Sequence, residues 1–383
     1  MQNEKMYDVA IVGGGLAGLA LSILLAKEKY KVVLIEKEKY PFHKVCGEYV
    51  SMESWNFLEH LGLPLSEMDL PLVNTLQISA PDGSVFKTSL PLGGFGISRA
   101  LLDSRLAAIA LENGVVVCDQ TKADQINFEN DQFIIKTNSI AGVEQINADV
   151  CCAAYGKRSN IDVKWQRTFL DNKDRKLENY IAVKYHIKTD GEENMIGLHN
   201  FRNGYCGISK IEGDKYCLCY LTTANELKKA GNDISVLEKE LLFRNVFLKK
   251  IFTQSTILES FPITISQINF TKKTQVEHNV LMIGDAAGTI TPLCGNGMSM
   301  ALHSSKICAG LVNEYMKKKC SRDELNQRYT KQWNAQFSER LFTGRIIQRF
   351  FGHEMLSNLF VRFFKTAPFM ARMVIKKTHG IPF

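Results

Sequence analysis

Residues 6–36, MYDVAIVGGGLAGLALSILLAKEKYKVVLIE, constrain this chain more than any other stretch. An apolar run, Val9 to Val12, leads into Gly13-Gly14-Gly15-Leu16-Ala17-Gly18. A helix-like apolar segment follows, then a second apolar run, Val32 to Ile35, closing on Glu36-Lys37. Strand, glycine turn, helix and strand in that order form the fingerprint of a dinucleotide-binding βαβ unit. Gly13 permits the tight turn, Gly15 lets a pyrophosphate approach the backbone, and Gly18 lets the helix pack close to the sheet. The helix start, at Leu16 and Ala17, offers unpaired N–H groups and a partial positive charge to phosphate. Glu36 stands where a carboxylate accepts hydrogen bonds from a ribose and disfavours a 2′-phosphate. The expected nucleotide is therefore FAD or NAD rather than NADP.

At 383 residues the chain can hold two domains. Its ten cysteines are scattered with no pair of CxxC motifs, so a zinc site is not expected and reduced thiols are. The sequence enters a strand almost at once and has no apolar run long enough to span a bilayer, so a cytoplasmic location is expected. The net charge of +7 is concentrated: residues 340–383 carry eight basic residues and one acid, Glu354, so this tail holds the whole excess. The tail is also rich in apolar side chains, as in Phe350-Phe351, Leu359-Phe360-Val361 and Phe363-Phe364. Basic helices with aromatic faces either pack on a core with their cations in solvent or lie on the inner face of an anionic membrane. Packing is the expectation for most of the tail. No nucleic-acid-binding module is present.

Along the chain, residues 51–61 read as a helix opened by Ser51, and residues 76–90 as a hairpin around Pro81-Asp82-Gly83-Ser84. Ser98 reads as the cap of a helix starting at Arg99. Strands are expected at 115–118, 133–136 and 149–153. Residues 180–188 alternate, with Ile181, Val183, Tyr185 and Ile187 on one face, and residues 214–221 place Cys217 and Cys219 opposite Tyr216, Leu218 and Tyr220. These two segments suggest a half-exposed antiparallel sheet whose one face floors a pocket. A helix at 234–250 and strands near 257 and 280 follow. The expected fold is α/β. A Rossmann-like nucleotide domain comprises 1–75, 95–160 and 275–320, an inserted antiparallel sheet 76–94 and 161–274, and C-terminal helices 321–383.

A second signature lies downstream. Val280-Leu281-Met282-Ile283-Gly284-Asp285-Ala286-Ala287-Gly288 reads as a buried strand ending in an acid, and Gly295-Asn296-Gly297-Met298 follows shortly after. A short acid at a strand end can hold a sugar hydroxyl, and glycines beyond it let backbone amides face a flat ring. With the N-terminal fingerprint, these residues make the chain resemble the FAD-dependent oxidoreductases of the aromatic-hydroxylase superfamily over nearly its whole length, most of all the geranylgeranyl-reductase-like branch. That resemblance implies FAD, with Asp285 on the ribityl chain and the Gly295–Met298 amides at the flavin N1–O2 edge. It maps Arg99 onto an FAD-contacting arginine. It also maps Pro41-Phe42-His43-Lys44-Val45-Cys46-Gly47-Glu48 onto the branch's Cys-Gly-Glu segment near the flavin, which makes Lys44, Cys46 and Gly47 cofactor contacts.

The chain departs from the family in three places. Ala154-Tyr155-Gly156-Lys157-Arg158-Ser159 carries Tyr155 where the middle motif has an Asp, leaving Gly156 and Arg158 to keep part of its role. Gly204-Tyr205-Cys206-Gly207-Ile208-Ser209 keeps only Tyr205 of the branch's aromatic strand. The Trp-x-Trp-x-Ile-Pro element of flavin halogenases is absent. Two chemistries fit: hydroxylation of a hydrophobic aromatic, polyketide-like or isoprenoid substrate through reduced flavin and O2, and reduction of a carbon–carbon double bond with Cys46 or Tyr205 as proton donor. The balance leans to hydroxylation, with NAD(P)H as electron donor in either case. A membrane-surface flavin-binding protein without turnover is the reading from another class. A plain NAD dehydrogenase has no use for the downstream signature.

Overall fold

The computed structural model describes residues 5–170, 179–268, 270–350 and 354–383, with the side chains of Lys5, Arg349 and Phe350 left out. Arg349 and Phe350-Phe351 of the tail therefore lie outside the described side chains.

Two sheets organise the chain. The first has the strand order 276–277, 280–282, 142–153, 5–12, 32–35, 116–118. Lys5–Val12 pairs in parallel with Val32–Ile35 on one side and Gly142–Ala153 on the other. The Gly142–Ala153 strand is longer than expected because it serves twice. Its second half lies parallel to the first strand, and its first half closes an antiparallel meander with Gln132–Ser139 and Lys122–Glu129. The helix Leu16–Lys27 is buried along almost its whole length, as its apolar sequence requires, and packs beside the helices Arg99–Glu112 and Gly297–Met316. Ser98 caps Arg99–Glu112, its side chain accepting from the Leu101 amide.

The second sheet runs 256–257, 180–188, 216–223, 204–210, 195–201, 72–79, 85–96, 49–51, with 263–268 also pairing to 180–188. It is antiparallel except where Met195–Phe201 lies parallel to Leu72–Ser79. The expected hairpin is Leu72–Ser79 with Val85–Gly96, turned where Gly83 adopts a positive φ and Asp82 accepts from the Ser84 amide. Tyr49–Ser51 and the start of Leu72–Ser79 pair in this sheet, although they fall within the 1–75 piece.

Two expectations need correction. The sheet is not half-exposed: Tyr180–Lys188 is buried on both faces. Val183, Tyr185 and Ile187 pack under Leu237, Leu241 and Leu248, and on the opposite face Lys184 and His186 turn toward Glu48. The expected helix at 234–250 is two helices, Ile234–Leu241 and Val246–Gln254, because Asn245 breaks the run and caps the second through the Phe247 amide.

Among the described residues the C-terminal segment holds three helices. Arg322–Phe350 packs on the nucleotide core through Leu325, Tyr329, Trp333 and Phe337. Glu354–Thr366 and Pro368–Thr378 cover the second sheet through Val361, Phe364 and Ala371. No described helix is long and apolar enough to cross a membrane.

Candidate functional site

At the nucleotide end the glycine turn is held as the fingerprint requires. Gly13 has φ +111° against the Ala154 backbone, and a side chain on Gly18 would overlap the Gly13 carbonyl oxygen. The buried Glu36 carboxylate accepts from the Gly14 amide at 2.8 Å and the Glu38 amide at 3.0 Å. It is thereby fixed at the strand end with lone pairs left over. A Cβ on Gly15 would lie 3.3 Å from Lys44 Nζ and 3.7 Å from Arg99 Nη2. The space that Gly15 leaves open is thus faced by two cations and by the first turn of Leu16–Lys27, where Leu16 and Ala17 stand. Both cations lean on Asp103. Arg99 binds it through two bonds, at 2.9 and 2.7 Å, and Lys44 sits 3.2 Å away. Burial works to lower the Arg99 pKa, but the Asp103 charge more than offsets it. Asp103 thus holds both cations toward the space that Gly15 leaves open, while Glu36 stands on the other side of the turn at the Gly14 amide. A pyrophosphate fits this donor set. Lys37, by contrast, is exposed beside Glu38 and is not brought to the site.

The second signature folds around the same turn. Gly284 takes φ +59° after Val280–Met282, and Asp285 is half-buried there. Two buried cations hold this corner by its carbonyls: Arg167 donates to Ala286 O at 3.1 Å, and Lys273 to Asp285 O at 2.8 Å. Desolvation lowers the Lys273 pKa to about 8. Tyr155 donates to Asp162 at 2.6 Å, and Asp162 pairs with Arg167 at 2.9 Å. The tyrosine that replaces the family's Asp is therefore part of the brace behind the Gly284–Ala286 turn. Gly156 takes a positive φ next to it, and Arg158 is exposed. At the far end Gly295 adopts φ +63° and Gly297 and Met298 open a twenty-residue helix, leaving their amides unpaired as in any first turn. The Asn296 Nδ2 donates to Thr378 O at 2.9 Å, tying this loop to the end of the last helix.

Between these ends lies a polar cluster centred on Glu48, which the Cys-Gly-Glu resemblance places near the reaction site; its partners Lys184, His186 and Glu259 the sequence does not point to. Glu48, fully buried at φ +54°, accepts from the Arg99 amide at 2.7 Å, Lys184 Nζ at 2.5 Å and His186 Nε2 at 2.7 Å. His186 Nδ1 meets Glu259 at 2.6 Å. The cluster fixes Cys46-Gly47. Cys46 is half-buried, its Sγ accepts from the Glu48 amide at 3.5 Å, and its carbonyl accepts from Cys217. Gly47 is exposed, and its carbonyl accepts from Ser209. His43 lies on the outer edge, its ring 5.2 Å from that of His186. Lys184 and His186 were the polar members of the alternating strand. Alternation alone assigns such residues to solvent, and only the segment around Lys44 and Glu48, with Glu259, buries them.

Beside the Gly295 loop opens an apolar pocket of about 670 Å³, part of it open to solvent. The second sheet supplies Leu76, Ile78, Phe86, Ile196 and Leu198, and the last two helices supply Phe360, Phe364, Val374 and Ile375. Leu293, Cys294 and Gly295 form its inner end. Tyr205, expected here as a proton donor, is buried in the packing beside Leu293 and does not line the pocket. Burial pushes its hydroxyl well above the ordinary phenol range. Cys46 does not line the pocket either.

Residues 6–114 match the FAD binding domain family. A digeranylgeranylglycerophospholipid reductase of Methanocaldococcus jannaschii is 26% identical over 350 residues, covering 89% of this chain and 85% of the relative. Conditioned medium factor receptor 1 of Dictyostelium discoideum is 24% identical over 356 residues, covering 88% and 69%. Among solved structures, a geranylgeranyl bacteriochlorophyll reductase-like protein from Thermoplasma acidophilum superposes with a TM-score of 0.77 at 19% identity, covering 93% of this chain and 91% of that one. A p-nitrophenol 4-monooxygenase from Pseudomonas putida does so with a TM-score of 0.75 at 16% identity, covering 97% of each. The chain carries an FAD binding domain over residues 6–114, is similar over most of its length to FAD-dependent oxidoreductases, and shares the mixed parallel and antiparallel α/β fold of the geranylgeranyl bacteriochlorophyll reductase-like structure.

Proposed function

We propose that this chain reduces carbon–carbon double bonds in a long apolar, isoprenoid-like substrate, using bound FAD charged by an external donor such as NAD(P)H. The observation that carries the reading is the pocket. Its walls are aliphatic and aromatic, and it ends on the Gly295 backbone, next to the loop that would face the flavin edge. Hydroxylation of an activated aromatic ring is helped by a base that draws a proton from the substrate. The phenol at the inner end of this pocket, Tyr49, is instead held protonated by burial. The names of several relatives as digeranylgeranylglycerophospholipid reductases support reduction. FAD would be held by Gly13, Gly15, Gly18 and Glu36 at its adenosine end, by Lys44 and Arg99 at its pyrophosphate, and by Asp285 and the Gly297 and Met298 amides toward its ring. When reduced it supplies a hydride. The protein excludes water from the pocket and fixes the substrate against the ring.

The test is to incubate flavin-reduced protein with a polyprenyl alkene without oxygen, and separately with oxygen. Gain of two hydrogens without oxygen is the expected product. Gain of an oxygen atom only under aerobic conditions would replace this reading with hydroxylation, to which the sequence leans.

The same proposal includes contact with an anionic membrane surface. While their inner faces line the pocket, the last helices expose Met355, Leu359 and Phe363 on one stripe and Phe369 and Met373 on another, interleaved with Arg362, Lys365, Arg372, Lys376 and Lys377. Spacing of four residues puts each stripe on one helix face. Exposed apolar stripes flanked by cations match a bilayer interface. Each cation near an anionic surface contributes about 1 kcal/mol. Neutralising Arg362, Lys365, Lys376 and Lys377 together should therefore abolish cosedimentation with anionic vesicles at physiological salt. Unchanged cosedimentation would remove the membrane from the proposal.

A further inference from the structure

The two ends of the pocket are built differently. At the inner end the Tyr49 ring lies against Gly94 and Gly295, and a Cβ on Gly295 would come within 3.3 Å of it. The hairpin Leu72–Ser79 with Val85–Gly96 runs away from this end, and Leu76 and Leu90 line the wall along the way. Gly94 pairs with Val73, and Phe86 pairs with Ile78, five residues further along the same strand. At about 3.4 Å per residue, Phe86 stands roughly 17 Å beyond the Tyr49 end.

Aromatic rings close that far end. Phe86 packs on Phe364 with ring centroids 5.7 Å apart, and Phe360 meets Phe364 at 4.1 Å. Phe86 and Phe364 are only 5% and 4% exposed, whereas Ile196 and Val374, also in the lining, are half-buried. The pocket therefore opens along its side and not through the Phe86–Phe364 pair. The pair is also clamped from outside. Arg362 binds Asp82 in the hairpin turn at 2.7 Å, and Asn358 accepts from the Asp82 amide at 3.4 Å. The helix Glu354–Thr366 is thus fixed on the tip of the hairpin that carries Phe86.

We propose that Phe86 and Phe364 set how long a chain this pocket accepts. The proposal rests on the reductase reading above for the class of ligand, a flexible apolar chain. With the reacting part of the chain held beside Gly295, the remainder runs along the hairpin and its last carbons meet Phe364. A chain that stops short of the rings leaves apolar wall uncovered and forfeits that burial. One that is too long must displace close-packed rings held from two elements, and such overpacking is unfavourable. Affinity should therefore rise with chain length to a limit and then fall. A benzyl group and a five-carbon isoprene unit have similar bulk, so truncating either ring should move the limit by about one unit.

The limit is read by equilibrium binding of radiolabelled all-trans polyprenyl alcohols, one isoprene unit apart in length, to the FAD-loaded protein. In the unsubstituted protein, the alcohol one unit past the limit should bind at least about tenfold more weakly than the one at the limit. Phe364→Ala and Phe86→Ala should each accept that longer alcohol without the loss. Phe364→Leu keeps the position apolar at a smaller packing cost, and should move the limit in the same direction even where the alanine forms do not fold. Ile196→Phe, at a half-buried wall position paired with Leu76, should move it toward shorter chains. The proposal is overturned if the limit in the Phe364 and Phe86 variants stays where the unsubstituted protein has it. It is equally overturned if affinity in the unsubstituted protein keeps rising with length. Anaerobic reduction of the bound alcohols is scored separately. Alcohols that bind up to a ring-dependent limit and are not reduced refute the reductase reading and leave this inference standing. Alcohols that are reduced with a limit indifferent to both rings refute this inference alone.

Discussion

Glu48→Ala should lower the folding stability of this protein by about 3–5 kcal/mol, the range for breaking a buried ion pair by removing one partner. The carboxylate is fully buried and accepts from three donors, and Lys184, also fully buried, has it as its ion-pair partner. Its removal strands an ammonium out of water. It also releases the turn that holds Cys46-Gly47 over the nucleotide site. Changing both members of the pair, Glu48→Gln with Lys184→Met, should return most of the loss, because a matched apolar or neutral pair no longer leaves an uncompensated charge. Denaturant midpoints of the three forms measure this, and equal stability of Glu48→Ala and the unsubstituted protein would refute it.

The pH dependence has a definite sign. Burial works to raise the Glu48 pKa, but the His186 hydrogen bond and the Lys184 charge outweigh it, and the net shift is downward from 4.5. A carboxylate whose folded pKa lies below its unfolded value contributes stability in full above the unfolded value, here about 4.5, and loses it as pH falls through the lower folded value. The acid limb of the stability curve should therefore be shallower in Glu48→Gln.

Gly18→Val should eliminate flavin retention. The added Cβ would overlap the Gly13 carbonyl oxygen and press on Ala154, so the helix must move off the sheet or the glycine turn must open. Overpacking of this kind costs about 1–3 kcal/mol, and here the strain falls on the backbone that would hold the pyrophosphate. Flavin remaining after gel filtration should drop at least about tenfold, equivalent to ~1.4 kcal/mol of binding. Retention at the unsubstituted level would show that the turn is not the cofactor's seat. Gly15→Ala probes a different contact: its Cβ meets no backbone and points toward Lys44 and Arg99. It should leave the fold intact and weaken the cofactor alone.

Local chemistry made the nucleotide half readable. Tight turns at Gly13 and Gly284, the cap at Ser98 and the hairpin at Asp82-Gly83 depend on neighbours within a few residues, and the structure shows each of them. Glu36 is legible for the same reason: its position is fixed by strand length from the glycines, and it binds the Gly14 amide. Patterning failed where a residue's surroundings come from distant chain. Lys184 and His186 alternate with apolar neighbours as solvent-facing residues do, yet Glu48, more than a hundred residues earlier, buries them. Tyr205 read as a pocket residue from its strand alone, but that strand is buried behind the pocket wall, with Tyr205 packed beside Leu293.

The sequence by itself determined the cofactor-binding half, because glycine backbone freedom and an acid at a strand end are local necessities of holding a dinucleotide. Only the tertiary structure decided what faces the ring. The pocket is built from a sheet and two helices that lie far apart in the chain, and its inner end brings Tyr49 against Leu293, Cys294 and Gly295 from a distant loop. Their meeting is fixed by how those elements pack, which no spacing in the sequence records.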